Sequence, residues 1–400
     1  MTADTFRATA VPIAAATFAT MLGFGMMVPA LPLLTAENGR SAVASGLLMG
    51  AFGFARLLSN LPAGVLVDRV GLRTAALVGL GVLFAGSLLA IAPLGFEVLM
   101  VAIAIQGAGS ALFSTAAMTA LILKAGPERR GAAMSWFQSS LLLAFAVGPL
   151  VGGLLVGPLG AHVPFMAQAV LAVAAVTAVR LLPAAPPSTV GTGAPRPADA
   201  PSASLIGPAL VAGALMGFAA FFARIGAGWT VIPDVGLNSL DLTPGMIGAI
   251  VGVGTAANLA VMPLSAAGID RWGAGRTLAA ATLATLVSLA AMALAPTVAM
   301  LWIGAALLMA ATGTMIPAAG AVALRGVDRR HTGRAMGLFR TGNDVGMSLG
   351  PVAVPGIAAA LALDPPSGFT VAAAAVIVAG AIALAVGSTA RTTLAENRAA

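Results

Sequence analysis

Apolar stretches long enough to cross a lipid bilayer recur twelve times along this chain, and no other feature narrows its possible folds so far. A membrane helix needs about 20 predominantly apolar residues. Hydrocarbon offers no partner to a free N–H or C=O, so only internally bonded elements can cross it. The stretches fall at 9–34, 43–66, 75–94, 97–124, 132–156 and 163–182, then at 205–233, 244–268, 277–294, 298–324, 335–360 and 368–388. Charged residues make up 8% of the chain and hydrophobic ones 59%, with a mean hydropathy of +1.01. Soluble domains carry about 25% charge, so no polar skin can be assembled here and the lipid bilayer must solvate most of the surface. The expected fold class is an all-α membrane protein with twelve transmembrane helices.

The formal charge of +7 does not point to nucleic acid, because the basic residues sit in short clusters between the apolar stretches. With the N-terminus inside, one set of loops holds Arg7, Arg69, Arg73, Lys124, Arg129, Arg130, Arg180, Arg196, Arg271, Arg276, Arg325, Arg329, Arg330, Arg334, Arg391 and Arg398. The other set holds Arg40 alone. Basic residues concentrate on the cytoplasmic side, so both termini are expected there, in a bacterial-type inner membrane. The first stretch is too long for a signal-peptide core and reads as a retained helix. The absence of cysteine rules out thiol chemistry. His162 and His331 both fall in loops, so no metal site is expected within the membrane, and no cofactor. A span lacking His, Cys or paired carboxylates also argues against an enzyme.

Residues 183–204, rich in Pro, Ala, Ser and Gly, read as a cytoplasmic linker between halves 1–182 and 205–400. Those halves repeat one another. Asp68-Arg69-Val70-Gly71 returns as Asp270-Arg271-Trp272-Gly273, 202 residues later. Gly131, Met134 and Phe137 return at the same offset as Gly333, Met336 and Phe339, and Gly148-Pro149 as Gly350-Pro351. Two six-helix bundles related by pseudo-symmetry follow, an arrangement that places a solute site at the interface between repeats.

These residues resemble the major facilitator superfamily over nearly the whole chain. Gly64-x-Leu66-x-Asp68-Arg69-x-Gly71-Leu72-Arg73 resembles its loop motif between helices 2 and 3, with Leu72 at a usually basic position. Ala144, followed by Gly148-Pro149-Leu150-Val151-Gly152-Gly153, resembles the helix-5 motif of drug:proton antiporters. Leu22-Gly23 with Pro29-Ala30-Leu31-Pro32 resembles the helix-1 motif of the same group. Gln106-Gly107 matches the helix-4 motif, but Ile103 stands where antiporters carry arginine. The resemblance implies a monomeric, alternating-access transporter of a small molecule. Export of a lipophilic or amphipathic compound, coupled to protons, is the preferred expectation. Uptake of a small organic acid or sugar is the alternative.

Physical chemistry assigns parts to these motifs. Asp68 is expected to accept hydrogen bonds at the N-terminus of helix 11, where free amides favour an anion. Arg69 and Arg73, with Asp270 and Arg271 in the second half, would hold neighbouring helix ends. Pro149 removes a backbone bond and kinks its helix, while Gly148, Gly152 and Gly153 allow close helix contact.

Arg56, Arg224 and Asp344 lie within spans, each at a cost of roughly 2.5–3.5 kcal/mol on insertion. Arg56 is about 18 Å deep from Asp68 and Asp344 about 16 Å from Gly333 by helical rise. Because helices 2 and 11 meet in the superfamily, an Arg56–Asp344 contact between halves is expected. The repeat sets Asn258 opposite Arg56 and Gln138 opposite Arg340, predicting an uncharged counterpart between helices 5 and 8. Asp344, read as the only deep carboxylate, is the expected proton carrier. Arg224 is expected to bind an anionic group or pair with Asp344. Phe24, Met27, Gln106, Phe113, Phe221 and Trp229 are the expected cavity lining, with methionine supplying adaptability.

Overall fold

The computed structural model describes residues 3–40, 42–92, 95–125, 130–180, 207–325, 327 and 332–399. The 183–204 linker, His331, Arg129, Arg196, Arg329 and Arg330 lie outside the described residues, as do the side chains of Arg7, Lys124, Arg130, Arg334, Arg391 and Arg398. The first bundle comprises α1 (Ala3–Met27), α2 (Leu31–Glu37), α3 (Ala42–Val70), α4 (Leu72–Ile91), α5 (Phe96–Ala125), α6 (Arg130–Leu159) and α7 (Val163–Arg180). The second comprises α8 (Pro208–Ala223), a π-helical stretch (Arg224–Val231), α9 (Ile232–Asn238), α10 (Pro244–Trp272), α11 (Ala274–Leu294), α12 (Val298–Ala323), α13 (Thr332–Ala360) and α14 (Ser367–Ala399).

Taken in chain order, with α1–α2 and α8–π–α9 as single broken rods, these segments match the twelve expected stretches. Among the described residues ten are apolar and long enough to cross a membrane, and α3 makes an eleventh once its parts, bent by 51° at Pro62, are joined. Helix α13 is as long as its neighbours at 29 residues, but Arg334, Arg340 and Asp344 lower its hydropathy.

The repeat is visible in the breaks. Helix α1 stops before Pro29 and resumes as α2 at Leu31, and 201 residues after that restart α9 begins at Ile232, with Pro233 in its second position. The turns after α3 and α10 are copies. Gly71 has φ 82 and ψ 159, and Gly273 has φ 83 and ψ 151. That region is essentially closed to residues with a Cβ, which explains why glycine ends both motifs.

Two seams join the bundles, both built by backbone approaching backbone. A Cβ placed at Gly153 of α6 would meet Gly245 and Gly248 of α10 at 3.1 Å, and one at Gly252 would meet the Ala146 carbonyl at 2.8 Å. Across the other seam, a Cβ at Gly53 of α3 would meet Ser348 Cα at 3.0 Å, and one at Gly46 would strike the Pro351 carbonyl of α13. Gly148 and Gly152 of α6 press on α1 in the same way: a Cβ at Gly148 would lie 2.8 Å from Gly25 Cα, and one at Gly152 would strike the Met26 carbonyl. With no apolar driving force between helices in lipid, close packing of this kind supplies the contact energy. Both seams lie towards the end away from Asp68 and Asp270. The largest buried cluster spans both bundles there, from Phe24, Phe52 and Phe165 to Trp229, Met309 and Phe369.

Candidate functional site

Between the bundles, in and beside the largest buried cluster, four rings from four helices converge. Phe24 of α1 stacks on Phe52 of α3 with centroids 4.0 Å apart, and lies 6.0 Å from Phe145 of α6. Trp229 of the π-stretch stands 5.7 Å from Phe24 and meets Phe145 edge-on at 5.0 Å. Trp229 is therefore buried between the bundles, not placed at a lipid headgroup interface. Its indole Nε1 has no hydrogen-bond partner. Met27 is buried in the same cluster and Phe221 packs against it half-buried. Phe52 and Phe145 were not among the expected lining residues.

Two expected lining residues face elsewhere. Phe113 packs in the core of the first bundle, its backbone against Gly79 of α4. Gln106 is turned onto α4 beside Gly86, with Nε2 unpartnered. The reason lies in helical phase: α5 offers Gly107, Ser110 and Ser114 to α3, which directs positions 106 and 113 away from the interface.

Arg224 opens the π-stretch and is 4% exposed, so it does not snorkel to the membrane surface. Its Nη2 is buried without a hydrogen-bond partner. The expected pairing with Asp344 is not made: among the described residues the ion pair formed is Arg40–Glu97 at 2.6 Å. Residues five apart on an α-helix diverge by about 140°. The i→i+5 bonding here, seen where Ile232 N–H donates to the Ala227 carbonyl, winds more loosely and brings Arg224 and Trp229 towards one face.

The Arg56–Asp344 contact is replaced by another. Asn60 Nδ2, one turn beyond Arg56 on α3, donates to Asp344 Oδ2 at 2.9 Å and bridges the bundles. Arg56 instead donates to Ser110 Oγ at 2.7 Å and Ser114 Oγ at 3.2 Å within its own bundle. Arg340 lies one turn before Asp344 on α13, and Arg56 one turn before Asn60 on α3. Arg340 also crosses the interface, Nη1 lying 3.6 Å from Met118 Sδ.

The uncharged counterpart is absent as well. Asn258 Nδ2 donates to the Met309 carbonyl at 3.1 Å inside the second bundle, and Gln138 is exposed. The repeat explains the pair of corrections. Position 56 and position 258 both face the fourth helix of their own half, so neither reaches across.

A second carboxylate, besides Asp344, lies buried near the end of a span. The seventh span runs to Asn238, five residues beyond its expected end, and buries Asp234, which accepts a 2.7 Å hydrogen bond from Asn238 Nδ2. Pro233 had marked the expected boundary, yet proline at a helix start is no barrier. Asp234 lines a cavity of about 160 Å³ with Val43, Thr230 and Pro355 at the far end of the interface.

At the opposite end, Asp68 and Arg73 are half-buried, whereas Arg69, Asp270 and Arg271 are exposed. The partner expected for Asp68, the first turn of α13, has its side chains through Arg334 outside the described residues. A Cβ at Gly64 meets nothing within 4 Å among those residues, so close packing does not account for that glycine.

A family model described as Major Facilitator Superfamily matches residues 13–351 and again 215–399. The chain belongs to that superfamily. Members of that superfamily are multi-pass membrane transporters. It is 33% identical over 168 residues to Multidrug resistance protein 2 of Bacillus subtilis, an alignment covering 41% of each chain. It is 30% identical over 153 residues to the inner membrane transport protein YajR of Escherichia coli, covering 38% of this chain and 33% of the relative. These alignments thus span well under half of the relatives' length. Among solved structures, the nucleoside transporter NupG superposes with a TM-score of 0.75 over 94% of this chain and 98% of that one, at 13% identity. The human organic anion transporter MFSD10 superposes with a TM-score of 0.70 over 94% and 99%, at 16% identity. At such identity these neighbours speak for the fold alone.

Proposed function

We propose that this transporter exports a lipophilic or amphipathic small molecule in exchange for protons, as a monomer alternating between inward- and outward-facing states. The halves are 1–182 and 205–400, and the Asp68 end faces the cytoplasm of a bacterial-type inner membrane. The observation that carries the coupling is the Asn60–Asp344 hydrogen bond across the bundles, with Arg56 and Arg340 nearby. An ionised Asp344 holds the bundles together through that bond and the charge of Arg56, while Arg340 lies on its own helix. A proton on Asp344 removes its charge and weakens the tie, so uptake and release of protons act on the gap between halves. The glycine seams form the seal of the far end, and Asp68, Arg69 and Arg73 latch the cytoplasmic end against α13. Relatives named for multidrug, methylenomycin and quinolone resistance support an exporter.

Asp344→Asn keeps an acceptor for Asn60 but cannot take up a proton. In everted vesicles it is expected to abolish pH-driven dye uptake while membrane insertion stays normal; unchanged transport overturns the assignment of Asp344.

Uptake of an organic acid remains the second reading, favoured by the unpaired Arg224 and by Ile103 in place of the antiporter arginine. A susceptible host separates the two. Export raises its tolerance to toxic compounds, whereas uptake leaves it unchanged or lowers it.

A further inference from the structure

Arg224 is buried and forms no ion pair among the described residues, and its Nη2 lacks a hydrogen-bond acceptor. Asp344 and Asp234 are engaged by amides instead, Asp344 by Asn60 and Asp234 by Asn238. Five residues on, Trp229 offers a second buried donor, Nε1, that is equally unpartnered. The π-helical winding turns the two towards one face, and the rings of Phe24 and Phe145 flank the indole.

A buried donor without an acceptor is unfavourable, and a guanidinium more so. Two such donors on one short stretch, beside a cage of aromatic rings, make up half of a binding site. The missing half is an acceptor of negative charge attached to an apolar body.

We infer that the cargo is an amphipathic organic anion: its carboxylate, sulfonate or phosphate ester is held by the guanidinium of Arg224 and the indole N–H of Trp229, and its apolar part lies against Phe24, Phe52 and Phe145. The planar guanidinium fork matches two oxygens of such a group, which a lysine would not. This assignment rests on the interface being the transport site, but not on the direction of transport.

Purified protein in lipid nanodiscs tests it with a matched pair of probes, naphthoate and its uncharged amide, at neutral pH. The acid is expected to bind about tenfold more tightly than the amide, as befits one charge-assisted hydrogen-bonded pair. Arg224→Gln erases that preference by weakening the acid, Trp229→Phe narrows it, and Arg224→Lys keeps part of it. Equal binding of acid and amide by the wild-type chain overturns the inference, as does a preference that survives Arg224→Gln. Should Arg224→Gln not fold, as judged by its elution profile, the wild-type ratio and Trp229→Phe decide alone. Flux of an anionic dye and of its neutral analogue, driven by a pH gradient across proteoliposomes, is followed in parallel. Dye export without acid preference sinks the anion assignment only, and acid preference without pH-driven flux sinks the exporter reading only.

Discussion

Arg56 shows how a charge is made tolerable inside a membrane without a counter-charge in contact. Two serine hydroxyls one turn apart on α5 accept from its guanidinium. Hydrogen bonds to charged groups contribute about 1.5–3 kcal/mol each, and stranding a buried donor costs more than removing both partners. Ser110→Ala combined with Ser114→Ala is therefore expected to lower the apparent Tm in detergent. Adding Arg56→Leu to that pair should recover much of the loss. A triple variant no more stable than the double one would mean that Arg56 draws its stability from elsewhere, with Asp344 the first candidate. The serine pair carried a signal in the sequence, an i, i+4 spacing of hydroxyls in an otherwise apolar helix. In sequence the deep arginine stands out more, and a matching depth on helix 11 points to Asp344 as its partner. Asn60, uncharged and unremarkable in sequence, makes the contact instead.

At the level of elements, glycine is legible where backbone conformation demands it and much less so where packing does. Gly71 and Gly273 end a repeated motif, and their shared positive φ gives a direct reason for the residue. Gly71→Ala is expected to cost about 1–3 kcal/mol through strain in that region, and Gly273→Ala a similar amount. Thermal unfolding of the two variants should shift in parallel, and a large shift in one alone would break the equivalence of the turns. The twelve stretches, the helix order and the meeting of helices 2 and 11 were all readable from hydropathy, repeat and resemblance. Local winding was not. Nothing in Arg224-Ile225-Gly226-Ala227-Gly228-Trp229-Thr230-Val231 announces a π-helix, although two glycines ease the departure from α geometry. Side-chain direction on α5 was equally hidden, because its apolar and small residues surround the helix with no clear face. Phe113 and Gln106 were misplaced for that reason.

For the whole molecule, the seams predict a reversible lock. A Cβ at Gly50 would stand 3.7 Å from Val352 Cβ across the bundles, within the roughly 3.5–4.5 Å that a disulfide needs. The chain has no cysteine of its own, so Gly50→Cys with Val352→Cys has no competing partner. Oxidation is expected to join the halves covalently and stop transport, and reduction to restore it. Full transport in the oxidised, cross-linked protein would show that this seam need not part during the cycle.

The same seams separate two tasks that proteins often combine. Closure depends on main-chain atoms of glycine-bearing helices, which stay in place whatever side chains line the centre. In the proposed site, recognition would depend on the side chains of Arg224 and Trp229, which supply none of the glycine contacts of the seams. A lineage can therefore alter what it carries through substitutions at the centre and leave the gate untouched. Conversely, one added methyl group on a seam would impair every cargo alike.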